Sequence, residues 1–161
     1  MSTGAASAAI VYIRNVLAPV FAALKWELLT ADGEFAAWNL LFTPGESGIC
    51  VISWNGDAVQ SQAGRSLVTN LRLSVTISGR RHLQDAALGK LKVTESDGKR
   101  LMEIHDKVKG AMLGLSLPYE IIAEAIAAVP TYRGAVPLTA PNGIPLDALR
   151  QSWELELKES Y

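Results

Sequence analysis

The stretch LRLSVTISGRRH, Leu71 to His82, decides how the chain is read. Leu71, Leu73, Val75 and Ile77 alternate with Arg72, Ser74, Thr76 and Ser78, a period of two that puts one set on each side of an extended strand. A strand that is apolar on one side and polar on the other predicts an antiparallel sheet with one covered face. At Gly79 the alternation stops, and Arg80, Arg81 and His82 follow as a basic cluster at the open end of the strand. From Gly79 to Ser96 charge is high and periodicity is absent, which predicts a long loop.

The same alternation closes the chain. In LRQSWELELK, Leu149, Trp153, Leu155 and Leu157 oppose Ser152, Glu154 and Glu156, and TYRGAVPL reads as a second strand joined to it by the turn residues of TAPNGIPLD. Upstream, GICVISWNGD is a short apolar run bounded by glycines. It predicts a strand buried on both faces that ends in an Asn-Gly-Asp turn, with Ala58 to Ser66 as a polar linker beyond it.

Helical spacing takes over elsewhere. Ile10, Ile13, Leu17, Val20, Leu24 and Leu28 recur every three or four residues, predicting a helix between Ala8 and Leu29 that Pro19 kinks or divides. Thr30 to Gly48 reads as a loop, with a short strand or helical turn in FAAWNLLF. Leu101, Ile104, Val108, Met112 and Leu115 predict a second amphipathic helix, with Ser96 or Asp97 as N-cap and Gly114 and Pro118 as stops. YEIIAEAIAAV predicts a shorter buried helix ending before Pro130. The expected order is helix, strand, strand, helix, helix, strand, strand. Residues 1–161 then form one α+β domain, a mostly antiparallel or mixed sheet with two to three helices packed on one face, and long loops at 30–48 and 79–96.

Composition narrows the function classes. Hydrophobic residues are 49% and charged residues 19%, an ordinary balance for a folded domain. Fifteen Lys and Arg against 16 Asp and Glu leave a formal net charge of -1, without the basic footprint of a general nucleic-acid binder. Cys50 is the single cysteine; within ICVIS it reads as a small buried hydrophobe in a chain suited to a reducing compartment. The N-terminus lacks a basic leading region, and Arg14 and Asn15 interrupt its apolar run. Neither a signal peptide nor a membrane span is expected, and KESY carries no lipidation motif.

Chemistry-bearing patterns are sparse. His82 and His105 are the two histidines, with no Cys-x-x-Cys or His-x-x-x-His, so neither metal nor cofactor is expected. His105 reads as a histidine at the edge of a helix stripe. GESGI around Ser47 misses the Gly-x-Ser-x-Gly spacing of a nucleophile elbow, and LQDAALGK lacks the glycine and the following Ser or Thr of a phosphate loop. Glu154 and Glu156 read as the wet side of a sheet. No residue is assigned a catalytic role. The cluster Arg80, Arg81, His82 is either a solvated loop or a partner contact.

Taken together, AAIVYIRNVLAPVFAALKWEL, ICVISWNGD, NLRLSVTIS, GKRLMEIHDKVKGAML and GIPLDALRQSWELELKES resemble, over nearly the whole chain, the tail terminator and tail-completion proteins of long-tailed bacteriophages and prophages. The extended segments Thr30 to Gly48 and Gly79 to Ser96 depart from that pattern. The resemblance implies a structural protein rather than an enzyme. It implies a ring homo-oligomer, commonly a hexamer, that caps the tail tube and meets a neck or head-completion protein. DNA would be present only in transit through the lumen, no membrane would be involved, and the protein would reside in the virion tail after assembly in the host cytoplasm. By the same analogy Arg80, Arg81 and His82 would form an interface or lumen loop. Alternatives of other kinds are another neck or head-tail joining subunit, a small α+β enzyme with a cleft at the Gly79 to Ser96 loop and His105, or a ligand-binding domain with an apolar pocket.

Overall fold

The structure, a computed structural model, describes residues 5–32, 48–80, 101–114, 130–138 and 146–160. In chain order these form α1 (Ala5–Leu24), β1 (Glu27–Asp32), β2 (Gly48–Ala63), β3 (Ser66–Arg80), α2 (Leu101–Leu113), β4 (Thr131–Leu138) and β5 (Leu146–Ser160). The five strands make one sheet in the order β1-β2-β3-β5-β4. β3, the strand of the Leu71 alternation, lies at its centre, antiparallel to β2 and β5 along its whole length. β4 pairs antiparallel with β5, and β1 pairs in parallel with β2, so the sheet is mixed.

One face of this sheet carries both described helices. The odd-numbered residues Leu71 to Ile77 of β3 meet Leu149, Trp153 and Leu155 of β5 in register, and Cys50 and Ile52 of β2 complete that face. Against it pack Ile13, Leu17 and Phe21 of α1 and Ile104, Val108 and Met112 of α2, all fully buried in one core. Removing those stripes from water is the main force holding the helices down, at about 1.5–3 kcal/mol for each large side chain. Burial also pushes the Cys50 thiol far above its ordinary pKa, which fits the small buried hydrophobe expected. By length and composition alone, Ala6–Leu24 would suffice to cross a membrane, Arg14 notwithstanding; in the fold its apolar stripe lies on the sheet.

The first helix ends earlier than its periodicity predicts. α1 runs unbroken through Pro19 but stops at Leu24, and Leu28 belongs to β1. Lys25 adopts the left-handed conformation at φ 57°. The Trp26 amide donates to the Phe21 carbonyl at 2.9 Å and the Lys25 amide to the Ala22 carbonyl at 3.1 Å. These are the two bonds of a Schellman cap, and the accompanying apolar contact is made by the Phe21 and Trp26 rings, 6.0 Å between centroids. A lysine in place of the usual glycine hides this stop from a sequence reading. β1 therefore occupies Thr30 to Asp32, the start of the expected loop, and Gly48 at its other end opens β2.

Two further expectations are corrected along β2. Asn55-Gly56-Asp57 is a bulge rather than a turn: pairing passes from Trp54↔Leu73 to Asp57↔Leu71, with one extra residue on β2. Gly56, at φ +95°, absorbs that residue without reversing the chain. Ala58 to Ser66 is consequently no linker but the rest of a long hairpin, slipped once more between Val59 and Ser61. The hairpin closes at Gly64-Arg65, where Gly64 at φ +60° supplies the first position of a type II′ turn.

The polar side of β3 is also not uniformly wet. Arg72 is exposed, whereas Ser74, Thr76 and Ser78 are buried together with Ile49, Val51, Ser53 and Ala148 on the face away from the described helices. Polarity alone does not separate charged residues, which demand water, from small hydroxyls, which can be buried at modest cost. The doubly buried ICVIS strand is as expected. So are α2 with its stop at Gly114 and the two closing strands, β5 starting at Leu146 within the predicted turn. Leu115, the N-cap at Ser96 or Asp97, the FAAWNLLF element and the YEIIAEAIAAV helix lie outside the described residues.

Candidate functional site

The basic cluster begins inside the sheet. β3 extends two residues past the predicted end, and Arg80 stands opposite Leu146 of β5 as the last pair of the ladder. Arg81 and His82 lie outside the described residues.

Sequence reasoning missed the opposite end of the same strands. Beyond Trp54, β2 leaves β1 behind, because β1 pairs only with Ile49 to Trp54; beyond Glu154, β5 likewise leaves β4, which pairs only as far as that residue. What continues is a three-stranded arm of Asn55–Ala63, Ser66–Arg72 and Leu155–Ser160. Among the described residues no strand covers the outer side of Asn55–Ala63 or of Leu155–Ser160. Val59 through Arg65 are all exposed, Val59 by 63%. The one signal in the sequence was Ala-Gly-Arg-Ser at 63–66, a two-residue turn with glycine in its first central position.

At the base of the arm, on the side away from the helices, Arg72 pairs in register with Glu154. Glu154 is half-buried rather than fully wet, and its Oε2 accepts from Arg133 Nη2 at 2.9 Å and Nε at 3.1 Å. Glu156, one step further out, is exposed as expected. The outer edge of β4 is blunted by a bulge at Tyr132/Gly134 and by Pro137, which has no N–H to offer.

The second histidine sits where α2 meets β5. His105 is buried at 6% exposure, inside the stripe rather than at its edge. Gln151 Nε2 lies 2.7 Å from His105 Nδ1 and donates to the His105 carbonyl at 3.0 Å, while Trp153 Nε1 donates to Gln151 Oε1 at 2.9 Å. Tyr132 packs on both rings, 6.4 Å from His105 and 5.0 Å from Trp153, and Lys109 Nζ lies 5.2 Å over its centroid. Burial first, and the Lys109 charge second, hold the imidazole below its ordinary pKa, with Asp106 opposing. The cluster ties a helix to the sheet, and Nδ1 is already engaged. No group of three or more His, Cys, Asp or Glu suited to a metal occurs among the described residues. Comparison with known protein families finds no match, and comparison with curated proteins finds none.

Proposed function

We propose that the protein is a structural assembly subunit of the tail-terminator kind, which caps a phage or prophage tail tube as a ring and joins it to the neck. The observation that carries this reading is the three-stranded arm, whose outer edges are unpaired among the described residues, added to the resemblance in element order. A ring needs one surface on each subunit that fits a different surface on the next, and strand edges that lack neighbours are ready donors and acceptors for such a contact. Near-neutral charge suits a lumen through which DNA passes, since strong phosphate attraction would hold it back. On this reading the loop Arg80, Arg81, His82 would face a neighbouring subunit or the lumen; Arg80 ends β3 at the end opposite the arm. Light scattering over a range of concentrations, negative-stain imaging and incubation with growing tail tubes test the reading. Rings, or arrest of tube growth at a capped end, are the expected result. A subunit that stays monomeric both alone and in the presence of tubes overturns it.

A further inference from the structure

We infer that His105 and Gln151 form a proton-sensitive latch: a neutral imidazole holds α2 on the sheet, and protonation of that ring releases α2. The Gln151 amide is fully buried. Trp153 Nε1 can only donate, so the amide atom 2.9 Å from it is the oxygen. The His105 carbonyl can only accept, so the atom 3.0 Å from it is the nitrogen. Two independent partners thus fix the same orientation of the amide. Its nitrogen then spends one hydrogen on the carbonyl and the other on His105 Nδ1, 2.7 Å away, so Nδ1 must accept and the ring proton sits on Nε2.

A proton on Nδ1 would set two donors face to face. Turning the amide over offers no escape, because its nitrogen would then confront Trp153 Nε1–H and its oxygen the His105 carbonyl. The surroundings offer little compensation. α2 brings Lys109, which opposes a second positive charge, and Asp106, which favours it less strongly. β4 brings the Tyr132 phenol. On this side of the sheet the residues that flank Gln151 are Leu73, Val75 and Ile77 of β3 and Leu149 and Trp153 of β5, none of them ionisable; Asp147 and Glu159 share that register parity at the two ends of β5. Tyr12 is the ionisable residue among those α1 packs against the core.

The sign follows. A released imidazole titrates near pH 6.5, whereas the docked one binds its proton only at lower pH, so docking is unimpaired above pH 6.5 and is weakened as pH falls below it. While the docked ring stays neutral, release grows about tenfold per pH unit, which sets a ceiling of about 30-fold at pH 5. The test uses the full chain. Nitrogen-15 spectra of the histidine side chains at pH 7.5 are expected to show His105 neutral with its proton on Nε2. Amide hydrogen exchange, corrected for its intrinsic pH dependence, is expected to show Ile104 to Met112 losing protection at pH 5 relative to Leu71 to Ile77, by up to about 30-fold. In His105→Leu that differential loss is expected to vanish, whatever the variant's basal stability. A ring protonated on Nδ1 at pH 7.5, titration near pH 6.5 with α2 still protected, or parallel loss from α2 and β3 each overturns the latch. The spectra of the unaltered chain decide the matter should His105→Leu fail to fold.

Discussion

The same three strands behave as two different objects along their length. From Gly48 to Ser53, Leu73 to Ser78 and Ala148 to Trp153 they are almost wholly buried, under α1 and α2 on one face and withdrawn from solvent on the other. From Asn55 to Arg72 and from Leu155 to Ser160 they are an arm whose outer edges no strand pairs among the described residues, and the exposed turn of that arm contributes little burial. The chain changes character within a few residues, from ICVIS to NGDAVQSQAGRS, at the bulge where Gly56 lets the strand continue in a new direction. Burial therefore fades along the strands: Leu71, Leu155 and Leu157 carry the core into the base of the arm, and its tip, Val59 to Arg65, is exposed.

That contrast is breakable. The largest effect is expected from Leu73→Ala, which deletes a fully buried side chain from the central strand and should cost about 3 kcal/mol in denaturant unfolding. Gly48→Ala comes next. A Cβ there would land on the Trp26 indole, which is buried beside it, and the overpacking should cost about 2 kcal/mol, read as a lowered midpoint. Lys25→Gly runs the other way: relief of the left-handed lysine in the Schellman cap should stabilise by about 1 kcal/mol and raise the melting temperature. Val59→Asp, on the arm, should shift stability by no more than about 0.5 kcal/mol. If the arm carries ring contacts, that same variant is expected to lose rings in negative stain while keeping its unfolding curve. Rings unchanged in Val59→Asp would move the interface away from this part of the arm.

How far these features could be read from the sequence depended on the kind of signal. The alternation of Leu71 to Ile77 and of Leu149 to Leu157 located the central strands, and the spacing of Ile104, Val108 and Met112 located α2, because a repeat held in register with the backbone survives any tertiary context. Leu28 misled, since it falls four residues after Leu24 by chance, past a stop that only Lys25's backbone reveals. The Asn-Gly-Asp sequence misled as well. Such residues permit positive φ, but whether the chain then reverses or merely bulges is decided by the partner strand, here β3. His105 passed as a boundary residue because its partner, Gln151, is 46 positions away.

By itself, then, the sequence determined the α+β class, the alternating strands, the two amphipathic helices and the near-neutral charge, all of which follow from local period and composition. Only the tertiary structure decided that β1 joins β2 in parallel, that β3 and β5 run side by side for their full lengths, and that Ser74, Thr76 and Ser78 lie dry. The pairing of distant strands carries no local signature, because each edge offers the same backbone donors and acceptors to any partner, and the choice is made by which faces the assembled sheet can bury together.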